Sequence, residues 1–174
     1  MALPAALTPM LAMARKLNEA DIAMMREQWQ ALLPSDFKAP AAHETLNRTE
    51  ARWRELLTPA QFNVLREEGT ERSGSSALNA EKRDGIYACA GCGLPLFTSD
   101  MKYESGTGWP SFFTAIPDAL NTKTDYKLVW PRTEYHCARC GGHQGHVFND
   151  GPAPTNQRWC NNGVALKFLP ANPE

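Results

Sequence analysis

The chain reads as an α+β protein that is mainly β: N-terminal helices lead into an antiparallel β core of two small packed sheets, clipped by a four-cysteine zinc site. Three observations predict this. Apolar residues recur at helical spacing over the first 80 or so residues and then in short alternating runs set between turn residues. Two C-x-x-C pairs, Cys89/Cys92 and Cys137/Cys140, together supply four thiolates, which fill one tetrahedral zinc site. A fifth cysteine, Cys160, is left over.

Residues 1–17 are apolar, with Arg15 and Lys16 following the apolar stretch, the reverse of a secretory signal. Pro4 and Pro9 interrupt the run, which is too short to cross a membrane. An organelle presequence stays open. A helix is predicted over 19–33, with Asn18 as N-cap, Asp21 three residues on, and Ile22, Met25, Trp29, Leu32 and Leu33 as a packing face. Pro34 and the Ala/Pro-rich stretch 39–42 end it and form a linker. A second helix starts near Thr49 and carries Trp53, Leu56 and Leu57. A third opens on Thr58-Pro59-Ala60-Gln61, a capping box with proline at the first helical position. Residues 69–84 are polar and rich in glycine and serine, and are expected to wrap over the surface. Strands are predicted at 86–89, 94–98, 126–129, 134–137, 147–148, 158–160 and 164–168; in the last, Val164, Leu166 and Phe168 alternate with Ala165 and Lys167. The division expected is an N-terminal helical extension and linker over 1–48 and a main domain over 49–170.

Composition bounds the partners. The 174 residues are 43% hydrophobic, and 18 basic against 19 acidic residues give a net charge of -1. The charges are interspersed, so no nucleic-acid or membrane partner is expected, and the chain is expected to be a monomer. An odd cysteine count with two metal-type knuckles argues for a reducing compartment, here the cytoplasm, and against a secreted disulfide framework. The 44 residues between the knuckles make the zinc site structural, because it ties distant segments together.

Arg158 and Asn162 flank Cys160 at two-residue spacing, so in an extended strand the three side chains share a face. A guanidinium beside a thiol favours the thiolate, the nucleophilic form. The competing reading is a surface ion pair beside a buried, inert cysteine. His143, His146 and Asp150, shortly upstream, complete the parts of a nucleophilic site with proton transfer. The run from Ser105 to Phe113 joins loop-forming glycines to Trp109, Phe112 and Phe113, which read equally as a pocket wall or as core.

These motifs resemble, in order, those of the B-type peptide methionine sulfoxide reductases: Gly-Trp-Pro-Ser-Phe at 108–112, His143-x-Gly-His146-Val-Phe with Asp150-Gly-Pro, Arg158-Trp-Cys160-x-Asn162, and both knuckles. The resemblance covers about two thirds of the chain, from Leu57 to Phe168. It implies a zinc-clipped β fold that reduces the R epimer of methionine sulfoxide, in oxidised proteins or peptides or as the free amino acid. It places the nucleophile at Cys160, active-site roles at Arg158, Asn162, His143, His146 and Asp150, and substrate contacts at Trp109 and Phe112. Many members carry a resolving cysteine where this chain has Thr107, so the resemblance implies that thioredoxin or another external thiol donor reduces the Cys160 sulfenic acid directly. Gln144 and Asn161 stand where apolar residues are usual, and Trp159 where tyrosine is common. The alternatives are a non-catalytic zinc-binding β module, which would lack the nucleophile, and an oxidoreductase acting on another sulfoxide.

Overall fold

The computed structural model describes residues 16–126 and 131–171. The questions of a targeting segment at the N-terminus and of a strand over 127–129 lie outside the described residues. Asn18 caps helix α1 (Glu19–Glu27) in a capping box with Asp21, as the sequence predicts. The helix does not run on to residue 33: after Gln28 the chain tightens into a 3₁₀ turn over Trp29–Leu32. Helix α2 (Glu50–Leu56) is capped by Thr49, and α3 (Pro59–Glu67) by the Thr58/Gln61 box. Phe62, Val64 and Leu65 of α3 are buried against the β core. Trp53 is buried too, and the Arg48 and Arg66 guanidiniums lie over its ring, 5.1 and 5.0 Å from the centroid.

The β core comprises two antiparallel sheets. Strands β1 (Gly85–Cys89), β2 (Pro95–Thr98) and β9 (Leu166–Pro170) form a three-stranded sheet in the order β2-β1-β9. Strands β3 (Lys102–Tyr103), β4 (Ser111–Phe112), β5 (Leu120–Asp125), β6 (Arg132–Cys137), β7 (His143–Phe148) and β8 (Arg158–Asn161) form a six-stranded sheet in the order β3-β4-β8-β7-β6-β5.

An aromatic column joins the sheets. Phe97 of β2 stacks on Phe112 of β4 with centroids 4.0 Å apart, Tyr87 of β1 meets Phe112 edge-on at 5.0 Å, and Tyr135 of β6 meets Trp159 of β8 at 5.0 Å. Side chains alternate across a strand, so with Phe112, Tyr135 and Trp159 turned to the core, Ser111, Glu134 and Cys160 take the opposite face.

Three expectations need correction. The described strand here is Leu120–Asp125, which the sequence reading does not place, and Tyr126, expected to open a strand, is exposed outside it. As the edge of the sheet, β5 is solvated along most of its length and shows no apolar alternation. The strand over 164–168 begins only at Leu166, because residues Gly163–Ala165 form a 3₁₀ turn in which Ala165 is fully buried. The segment 69–84 does more than cross the surface: the Glu71 carboxylate accepts from the Gly163 and Val164 amides at 2.6 and 2.9 Å, and its carbonyl accepts from Trp109 Nε1 at 3.2 Å. The residues ahead of α2 are not detached either. Met25, Trp29, Ala42 and Leu46 pack against the core, and the Leu46 amide donates to the Arg139 carbonyl at 2.8 Å.

Gly145 lies opposite Asn161 in the β7–β8 pairing, and a Cβ there would collide with the Cys160 carbonyl oxygen. Gly145→Ala is therefore expected to force β7 from β8 and lower unfolding free energy by about 1–3 kcal/mol, read by urea denaturation.

Candidate active site and metal centre

The large sheet's outward face builds a cavity of about 320 Å³ whose lining includes Thr107, Trp109, His146, Phe148, Arg158 and Cys160. Strand pairing sets these positions. Ser111 of β4, Cys160 of β8, His146 of β7 and Glu134 of β6 are register neighbours and form one row across the sheet. Phe148 faces Arg158 in the next row, and its ring lies 4.3 Å from the guanidinium.

A β-bulge brings the two histidines of the motif together. Three residues apart, they would point to opposite faces of a regular strand. Tyr135 pairs with Gly145 but His136 pairs with His143, so Gln144 is the extra residue, and beyond it the face is reversed. The His143 and His146 rings thus come within 5.6 Å on one face.

The histidines nevertheless occupy different surroundings. His146 lines the cavity, with Nε2 2.8 Å from Asp125 Oδ2, which also takes Arg132 Nη2 at 2.7 Å. His143 is 2% exposed, and its Nδ1 lies 2.5 Å from Glu134 Oε1. Glu134 Oε1 is also 2.8 Å from His136 Nε2. Burial pushes His143 down to about 4 despite the adjacent carboxylate, so that ring is neutral at pH 7, and burial lowers His136 as well.

Cys160 is half-buried, and burial pushes its thiol up. The nearby Arg158 charge and the polar neighbours Thr107 and Arg158 pull the other way without reversing the shift. Burial thus offsets the pull toward the thiolate that the Arg158 spacing predicts. Arg158 is also committed elsewhere: Nε and Nη2 grip Asp150 Oδ1 and Oδ2 at 2.8 and 2.9 Å, which raises Arg158 further and lowers Asp150. Asp150 thus holds Arg158 rather than a histidine. Asn162 sits just beyond β8, buried, with Oδ1 accepting from the Glu71 amide at 2.9 Å and Nδ2 donating to the Gln144 carbonyl at 2.9 Å.

The four knuckle cysteines converge at the junction of the sheets. Cys89 ends β1 and Cys137 ends β6, while Cys92 and Cys140 lie in the turns that follow. Cys89 Sγ is 3.7 Å from Cys140 Sγ, and Cys92 Sγ is 3.5 Å from Cys137 Sγ. Four sulfurs about 2.3 Å from a tetrahedral zinc would be about 3.8 Å apart, so the donor set fits that ion. The cluster clips the β1–β2 hairpin of one sheet to the β6–β7 hairpin of the other.

Comparison with known proteins accords with this geometry. Residues 57–170 match the SelR domain. The chain is 50% identical over 128 residues to peptide methionine sulfoxide reductase MsrB of Methanosarcina barkeri, spanning 73% of this chain and 90% of that protein. It is 48% identical over 135 residues to the chloroplastic peptide methionine sulfoxide reductase B2 of Arabidopsis thaliana, spanning 76% and 66%. Over 137 residues it is 46% identical to MsrB of Agrobacterium fabrum, spanning 78% and 98%. The chain belongs to the MsrB/SelR family.

Within this MsrB framework the sequence reading and the cavity differ in places. Cys160, His146, Arg158, Asn162 and Trp109 line the cavity; His143 is buried against Glu134, and Asp150 is exposed and grips Arg158. Phe112, expected against substrate, is fully buried on the core face, stacked on Phe97. Asp125, Glu134, Thr70, Arg132 and Phe148 were not singled out. Glu134 and His136 share a face at two-residue spacing, which could have signalled the pair, but Asp125 ends a polar edge strand and belongs to no motif.

Cys92→Ser is expected to lose the metal and lower the melting temperature, measured by metal analysis and calorimetry. For Cys160, the pH midpoint of alkylation should lie above that of free cysteine. Arg158→Gln should move it higher still, because removing a cation disfavours the anion.

Proposed function

We propose that this chain is a methionine-R-sulfoxide reductase that uses Cys160 as nucleophile and an external thiol as reductant. The observation that carries the reading is the placement of a half-buried thiol in a cavity beside Trp109, in register with an Asp125-paired histidine. The matched relatives bear the name peptide methionine sulfoxide reductase, which supports the same substrate class.

A sulfoxide sulfur becomes a good electrophile as its oxygen gains a proton. Trp109, held by its indole N–H to the Glu71 carbonyl, and Phe148 supply apolar walls for the substrate methyl group. In the first step the Cys160 sulfur takes the oxygen as the substrate S–O bond breaks. The substrate sulfur is reduced by two electrons, the cysteine sulfur is oxidised by two, and the thiol proton ends on the sulfenic oxygen. The raised thiol suits this route, since the resting cysteine keeps the proton the reaction needs. Asp125 engages Nε2 of His146 and leaves the other ring nitrogen to relay that proton. His143, neutral and wedged against Glu134, sets the position of the His146 ring, and Asn162, held by the Glu71 amide and the Gln144 carbonyl, borders the cavity beyond Cys160. Arg158, gripped by Asp150, stabilises charge developing on the Cys160 sulfur.

The products are methionine and a sulfenic acid at Cys160, a reversible oxidation state. Thr107 lines the cavity with Cys160 where a cysteine could have resolved that acid, and the four other cysteines form the knuckles. Thioredoxin or another dithiol then returns Cys160 to the thiol, releasing water and a donor disulfide. One zinc ion held by Cys89, Cys92, Cys137 and Cys140 serves as a cross-link, because four thiolates leave no open position for substrate. Residues 49–170 form the catalytic unit and 1–48 an extension, of which Met25, Trp29, Ala42 and Leu46 pack on it.

The test is chiral. Racemic blocked methionine sulfoxide is incubated with protein and dithiothreitol, with Cys160→Ser alongside. Loss of the R epimer alone, abolished in the variant, is expected; persistence of both epimers with folded, zinc-loaded protein would sink the reading.

A further inference from the structure

A buried polar chain runs from the cysteine cluster to the strand of Cys160, and none of the steps above uses it. At the β7 bulge, Gln144 is fully buried. Its Nε2 donates to Cys89 Sγ at 3.4 Å, and its Oε1 accepts from Asn161 Nδ2 at 3.2 Å. Asn161, also fully buried, donates to the Asn162 carbonyl at 2.9 Å and accepts from the Tyr135 hydroxyl at 2.8 Å. The Gln144 carbonyl takes both the backbone amide and Nδ2 of Asn162 at 2.9 Å. Asn161 and Asn162 directly follow Cys160.

The chain of bonds has a direction. A metal-bound thiolate only accepts, so Gln144 must turn its NH₂ to Cys89 and its oxygen to Asn161. Asn161 must then offer NH₂ to Gln144 and oxygen to Tyr135. A free thiol at Cys89 could donate as well as accept, and the orientation would no longer be enforced. Such buried networks stay ordered only while every member is satisfied.

We infer that Gln144 is a positioning residue that couples the metal site to the catalytic strand: the Cys89 thiolate orients its amide, which orients Asn161 and holds residues 160–162 in register. The coupling to catalysis rests on Cys160 being the nucleophile, whereas the metal half of the inference does not.

The experiment uses the full-length, metal-loaded protein and Gln144→Met, which keeps length and volume but removes the donor. Three readouts are taken: zinc affinity by chelator competition, the sulfur-to-metal absorption band of the cobalt-substituted protein, and the alkylation rate of Cys160 against pH. Gln144→Met should weaken zinc binding about 10–100-fold, the usual effect of losing a group that hydrogen-bonds a metal ligand. It should also shift the cobalt band and change the Cys160 alkylation profile. A variant with unchanged affinity and band overturns the inference, and a variant that alters the metal but leaves Cys160 untouched overturns the coupling. Should Gln144→Met not fold, cadmium-113 substitution of the unmodified chain decides the metal half. A through-bond coupling from the Gln144 amide protons to the metal is expected, and its absence refutes the contact. Activity surviving in Cys160→Ser would remove the nucleophile assignment while leaving the metal readouts standing.

Discussion

Everything in the site depends on the commitment of one face of the six-stranded sheet to the aromatic column. Phe112, Tyr135 and Trp159 bury large rings against Phe97 and Tyr87, and each such ring contributes on the order of kcal/mol through burial and edge contacts. A slip of one residue in β8 would bring Cys160 into that core and turn Trp159 out to solvent. The column therefore fixes which way the thiol points, and the register of β4, β8, β7 and β6 carries that decision to Ser111, His146 and Glu134.

The exception to strict alternation is as informative as the rule. At Gln144 the bulge reverses one face of β7, and two imidazoles that a regular strand would separate become neighbours. The bulge leaves an extra side chain turned inward, and this chain fills the space with an amide that meets Cys89 and Asn161. The two departures at 144 and 161, separate when read along the chain, are one buried contact.

Electrostatics then divide similar groups into different roles. His143 and His146 are three residues apart, yet one is sealed against Glu134 and held neutral while the other borders the cavity beside Asp125. Arg158 lies two residues from Cys160, but its fork is occupied by Asp150, and desolvation of the sulfur outweighs its pull. Proximity in sequence was a poor guide to the sign of the thiol's shift, because burial enters only with the fold.

What the sequence by itself determined were the features that rest on local chemistry. The capping signals at Asn18, Thr49 and Thr58 act within one helical turn, and the C-x-x-C spacings carry their ligand geometry with them. The central strands were legible because burial on the core face imposes alternation on residues such as Tyr135 and Trp159. Tertiary structure alone decided the polar edge strand that supplies Asp125, the pairing of Glu134 with two histidines, the burial of Phe112 rather than its use as a wall, and the anchoring of Trp109 and Asn162 by Glu71. These depend on which strands become neighbours and which stay at the edge. A one-dimensional pattern does not record that, because the pairing free energy resides in contacts between residues distant along the chain.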